Sequence, residues 1–172
     1  MNGLASQPIG EFLAGMASTN PAPGAGSAGA VALALGIACA RKALAMTLRH
    51  RPDDGRIAEL CARFASLSDQ AMAGAAADEA GFAVYIGVLR QPHDAPGRDE
   101  AERQALEDLV AIGENMVALA DEVRALILGV KAEIIPAMAN DIGAALALVA
   151  AARSIEAECA AESARSLGGG PK

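Results

Sequence analysis

The sequence contains no Trp, one Tyr and three Phe in 172 residues. With aromatics at 2% and β-branched residues sparse, strands have little to be built from, and a sandwich or barrel is excluded. Cysteine is scarce and odd in number. Cys39, Cys61 and Cys159 show no CxxC spacing, so neither a disulfide framework nor a zinc knuckle is indicated, and no metal is expected. A reducing, cytoplasmic setting follows as the expectation. Cations are also short: 14 Lys and Arg against 21 Asp and Glu give a net charge of -7, which argues against a nucleic-acid partner. The most apolar run, residues 28–40, is cut by Arg41 and Lys42, well short of the ~20 residues of a bilayer span. No basic segment precedes an apolar stretch at the start of the chain. The expectation is a soluble protein with no membrane partner.

What is abundant is alanine, with 43 residues in a chain that is 53% hydrophobic. Ala is the strongest helix former and lets helices approach closely. The predicted fold is therefore all-α, a bundle of five to six helices with a long, buried, Ala-rich second helix. Few large side chains are available to seal its faces, and a homodimer that completes the core is expected. Residues 1–167 read as one domain, and GGGPK, residues 168–172, as a flexible tail.

Pro and Gly punctuate the chain. Ile9, Phe12, Leu13 and Met16 sit at helical spacing, which predicts a short amphipathic lid or packing helix ending before Ser18. Residues 18–27, STNPAPGAGS, form a loop. The next helix, over residues 28–48, is apolar almost all round and is predicted to be almost wholly buried. RHRPDDG ends it, and a third helix spans residues 56–90 with a kink expected near Gly74 or Gly81. A fourth helix spans residues 99–128. The last runs over residues 142–167, capped by Asn140 or Asp141.

The loop at residues 18–27 is the most informative segment. Gly24 and Gly26 expose backbone amides, Ser27 is placed to cap the following helix, and the helix N-terminus would attract an anionic or polar ligand group. A plain helix connection would use the same residues. Asp78 stands among Ala75, Ala76, Ala77 and Ala80, where an unpaired buried charge would be costly. Asp141 reads equally as a cap or as a functional carboxylate. Arg41 and Lys42 suit either a ligand's anionic tail or the helix dipole. His50 and His93 lie in polar connections and read as solvated, and Cys39 reads as a packing residue.

Residues 12–48, FLAGMASTNPAPGAGSAGAVALALGIACARKALAMTL, resemble the opening of the formiminotetrahydrofolate cyclodeaminase and methenyltetrahydrofolate cyclohydrolase family: a short helix, a Ser, then a P-x-PGGGS loop entering a long Ala-rich helix. DEAGF at residues 78–82, Arg103 with the helix after it, and ANDIGAAL at residues 139–146 resemble further family elements in the same order. The resemblance implies a helical homodimer that binds a small molecule, tetrahydrofolate or a related reduced pterin such as tetrahydromethanopterin. It would act on a methenyl or formimino group as cyclohydrolase or cyclodeaminase, with no cofactor beyond the substrate. It also implies that Ser18, Pro23, Gly24, Gly26 and Ser27 line the substrate cleft with Arg41 and Lys42, and that Asp78 and Asp141 are the catalytic carboxylates. Two departures stand out. Ala25 replaces the middle Gly of the loop, and IEAECAAESA, residues 155–164, replaces an N-V-x-x-N pattern, so the polar groups of the last helix are expected to be missing. The alternative reading is a non-catalytic pterin-binding or structural helical dimer that has lost the family activity.

Overall fold

The computed structural model describes residues 7–169. It contains five α-helices: α1 (Ile9–Met16), α2 (Ala25–His50), α3 (Gly55–Leu89), α4 (Arg98–Val130) and α5 (Ala139–Gly168). Two short 3-10 turns, Lys131–Glu133 and Pro136–Met138, connect α4 to α5. Among the described residues there is no strand. The predicted all-α architecture is what is found.

The four long helices alternate in direction and pack as a square, α2 against α3 and α5, and α4 against α3 and α5. Leu33, Ile37, Leu44, Phe64, Leu67, Val123, Ile127 and Val149 fill its centre, each essentially inaccessible to solvent. Full burial of such side chains contributes roughly 1.5–3 kcal/mol each. Between them lies alanine, and Ala40, Ala43, Ala71, Ala75, Ala120, Ala145 and Ala152 keep the helices close. At one end of the square the Thr47 hydroxyl donates to the Ala43 carbonyl (2.8 Å) and accepts from the Ile135 N–H (3.2 Å), tying α2 to the connection before α5.

Several expectations are corrected. α2 starts at Ala25 rather than at residue 28, with Gly24 in an extended conformation (φ -122°) and no side-chain cap. Ser27 is thus inside the first turn and is not the N-cap. α2 is also not buried all round: Leu35 is 49% exposed, because a helix at a corner of the square buries only the stripe that faces its neighbours. As a whole helix, α2 exceeds the uninterrupted run of residues 28–40. It reaches a mean hydropathy of 1.6, and α3 reaches 1.3, so both are long and apolar enough to cross a membrane by length and composition alone. α2 nevertheless carries its buried stripe inside the bundle.

α3 runs unbroken through Gly74 and Gly81. These glycines admit α4: a side chain at Gly74 would collide with Met116, and one at Gly81 would press on Ile112 and Leu109 at 3.3 Å. α5 begins at Ala139 after Met138, so Asn140 and Asp141 lie in its first turn and neither caps it. Of the expected tail, Gly168 closes α5 and Gly169 follows as its C-cap, while residues 170–172 lie outside the described residues.

Candidate functional site

The middle of α3 brings Asp78 against the first turn of α2. There the Ser27 hydroxyl donates to Asp78 Oδ2 across 2.9 Å, linking positions 51 residues apart. The approach requires Gly26, since any Cβ at that position would overlap the Asp78 carboxylate. Ser27 is fully buried and stands behind Asp78. The N-terminal end of α2 is therefore already occupied by a protein carboxylate, and the expected open anion site is not there.

One turn further along α2, Gly29 plays the same part for α5. An added Cβ there would stand 2.5 Å from Glu156 Oε1 and 3.0 Å from Ile155 Cγ2. Glu156 is 2% exposed, and its Oε1 has no hydrogen-bond partner. Positions 26 and 29 share a face of the helix, so the carboxyl groups of Asp78 and Glu156 lie side by side along α2, reached from two different helices.

The two acids meet a cavity of about 350 Å³, within the size range of small-molecule sites. Pro21, Gly24, Ala25 and Gly26 form one wall, Phe82 and Leu109 supply an apolar one, and Gly113 lies on α4. Glu158, Cys159, Glu162 and Ser163 complete it from α5. Among the described residues, no Lys, Arg or His lines the cavity. A larger groove of about 520 Å³ runs between α3 and α4, but its one charged residue, Glu122, is engaged by Arg63 and it holds no comparable buried acid.

Burial raises the Asp78 carboxyl above its ordinary value, and hydrogen bonds from the Ser27 side chain and backbone limit the rise. Glu156 has no such donor. Burial, and then the neighbouring Asp78 charge, push it to about 8. Glu156 therefore holds its proton near neutral pH, while the Ser27 hydrogen bonds favour the charged form of Asp78. The Cys159 thiol is pushed up to about 11, first by burial and then by Glu156 and Asp78, which leaves it protonated and poorly nucleophilic.

The structure separates the residues grouped by the sequence. Gly24 and Gly26 line the cavity, and Asp78 forms its floor. Pro23 instead packs on Gly15 of α1, and Ser18 is exposed and accepts from the Asn20 N–H at 3.1 Å. Asp141 is ion-paired with Lys42 at 3.1 Å. Lys42 lies fifteen residues beyond Ser27, about 22 Å along the helix, so this pair is at the opposite end of the bundle from Asp78. Arg41 and Lys42 border a separate shallow hollow with Ala38, Ala45 and Cys61. The α1 helix contributes nothing to the acidic cavity. It buries Phe12 and edges a groove with Val31, Leu35 and Met72, as a packing helix rather than a lid over the acids.

His50 is exposed with its Nδ1 2.8 Å from the Met46 carbonyl, and His93 is exposed. Cys39 packs against the core. Arg103 is held on the surface between Glu100 and Glu107. The asparagines of the family pattern are absent from the last helix, but residues 155–164 place other polar groups, Glu156, Glu158, Cys159, Glu162 and Ser163, in the cavity wall. Glu156 was missed although it was findable: Ile142, Ala145, Val149, Ala152, Glu156 and Ala160 form one helical stripe, and a carboxylate within an apolar stripe is itself a signal.

A search of curated proteins finds no match. A crystal structure of formiminotetrahydrofolate cyclodeaminase from Thermotoga maritima superimposes with a TM-score of 0.85 at 14% identity, covering 95% of this chain and 81% of that one. At that identity the likeness is one of fold. The family model described as formiminotransferase-cyclodeaminase matches residues 8–158, from α1 through most of α5. This chain belongs to the formiminotransferase-cyclodeaminase family.

Proposed function

We propose that the protein acts on a methenyl or formimino group of tetrahydrofolate or a related reduced pterin, as a cyclodeaminase or cyclohydrolase, in the cavity between α2, α3 and α5. The observation that carries this reading is Asp78, a carboxylate held by the Ser27 hydroxyl in the wall of that cavity, in a chain of this family. The one-carbon unit in question is an amidine or amidinium, already electrophilic at carbon. An oriented carboxylate accepts a proton, from the attacking water in hydrolysis or from N10 in ring closure, and returns it to the nitrogen that leaves the carbon, N5 as the ring opens or the ammonia expelled on closure. Asp78 takes that part. Asp141, paired with Lys42 at the far end, stays outside the reaction centre of the protomer.

The reading calls for no metal or further cofactor, and places the protein in the cytoplasm as a homodimer. The apolar residues left open on one side of the square, Ile9, Leu13 and Leu35, are where a second copy would be covered. A binder without catalysis is the second reading, favoured by the replacement of the expected asparagines with acids in residues 155–164. Following the absorbance of 5,10-methenyltetrahydrofolate and its formation from 5-formiminotetrahydrofolate separates the two. Acceleration of either reaction supports the enzyme. Thermal stabilisation by the pterin with neither reaction accelerated gives the binder, and no effect of either kind defeats both.

A further inference from the structure

We propose that Asp78 and Glu156 together form a seat for a compact planar cation, an amidinium or guanidinium group whose paired N–H donors bridge the two carboxyls. Three observations carry it. Glu156 Oε1 is buried against Gly29 without a partner among the described residues, although unpaired buried polar atoms are rare in folded proteins, and the Glu156 side chain lines the cavity. Gly26 and Gly29 bring both acids onto one face of α2, so that a single flat group can reach both. Finally, among the described residues the lining includes no cation. Of the two bases on α5, Arg165 is engaged by Glu158 (2.9 Å) and Glu162 (2.6 Å), and Arg153 by Asp121 (2.7 Å).

The titratable groups that share the cavity wall with Glu156 are Asp78 from α3, and the Cys159 thiol, Glu158 and Glu162 from its own helix, the last two exposed and paired with Arg165. α2 offers Gly29 and the Ser27 hydroxyl, and α4 offers Leu109 and Gly113, none of them charged. The site is therefore negative with a single proton to give up. An entering cation releases that proton from Glu156 to solvent and leaves two carboxylates around one positive charge, with the Phe82 ring as an apolar wall beside it. An anionic group would meet repulsion. Two acids do not make a metal site, and among the described residues no three His, Cys, Asp or Glu are grouped to hold one.

The inference deepens the function proposed above, since a formimino or methenyl group is itself an amidinium, but it can be tested without any pterin. Formamidinium, acetamidinium and guanidinium chlorides serve as probes, with acetamide and sodium acetate as neutral and anionic controls at matched ionic strength, read by thermal shift and titration calorimetry. The amidinium salts are expected to stabilise the wild-type protein and the controls are not. Affinity should strengthen up to about tenfold per pH unit between about pH 6 and pH 8, as expected when binding releases one proton.

In Glu156→Gln the pH dependence should vanish and the affinity fall, and Asp78→Asn should abolish binding. Melting of each variant without ligand shows that it folds, and the wild-type ligand series decides the matter even if one does not. Equal stabilisation by acetamide or acetate, or amidinium binding that is unchanged in Asp78→Asn, overturns the proposal. Turnover of the methenyl compound without amidinium binding would overturn this seat while leaving the proposed function standing. Amidinium binding without turnover would do the reverse.

Discussion

Ser27 and Asp78 are joined by a hydrogen bond of 2.9 Å between the first turn of α2 and the middle of α3. The bond fixes one carboxylate at the cavity floor and places the positive end of a helix behind it. It also makes Ser27 a support for the site rather than a helix cap.

Ser27→Ala should therefore do more than destabilise. Loss of the donor costs about 1–2 kcal/mol in a denaturant titration. It also removes a bond that favours ionised Asp78, so the acid limb of the pH–rate profile should move to higher pH. A variant that is merely less stable, with an unmoved profile, would return Ser27 to a structural role.

The two aspartates should separate sharply. Asp78→Asn is expected to lower the rate on the methenyl or formimino substrate by about 10²-fold or more with the fold intact. Asp141→Asn breaks a pair with a Lys42 side chain that is 65% exposed, and should change stability by less than about 1 kcal/mol with little effect on rate. Steady-state kinetics on both variants would check this, and the opposite ranking would relocate the site.

Glu156 makes the fold sensitive to base. Its carboxyl is pushed to about 8 in the folded protein, above its value in the unfolded chain. The native state thus holds the extra proton, the full stability is present below about pH 4.5, and it falls as pH rises towards 8 with a limiting slope near 1.4 kcal/mol per pH unit. Glu156→Gln should flatten that slope and be the more stable protein at about pH 8. Urea midpoints measured across this range would show it, and parallel curves for the two proteins would contradict it.

Leu35→Asp distinguishes the inside of the bundle from its outer face. With Leu35 49% exposed, the substitution leaves the protomer folded, and its effect should fall on assembly: a dimer at micromolar concentration becomes a monomer in sedimentation experiments. Loss of the helical signal itself would instead show that this face is packed within the chain.

The helical architecture was legible because Pro and Gly mark nearly every boundary and alanine leaves strands no support. Asp78 stood out for a related reason: an acid directly after Ala75, Ala76 and Ala77, beside Glu79, invites a partner. The partner's use of Ser27 was not, because a Ser three residues into a helix has the same neighbours in sequence as one at its cap, and only the path of α3 decides which way its hydroxyl turns. Asp141 and Lys42 lie apart from Asp78, which sequence order could not show because it carries no distance. α2 and α5 run antiparallel, so residues flanking the same helices can sit at opposite ends of the bundle. Glu156 was passed over because residues 155–164 were read only for the asparagines they lack, whereas its place on the apolar stripe of α5 is what marks it.

The two carboxyl groups of the cavity come from α3 and α5, which stand at diagonal corners of the square, and α2 is the element that touches both. The turn that aligns them, at the start of α2, has no side-chain cap to hold it. A bound cation would act there as a removable cross-link between two helices that do not otherwise neighbour each other. It would draw α3 and α5 onto α2 and suppress fraying of its first turn, so that the ligand completes a fastening the chain leaves open at that end.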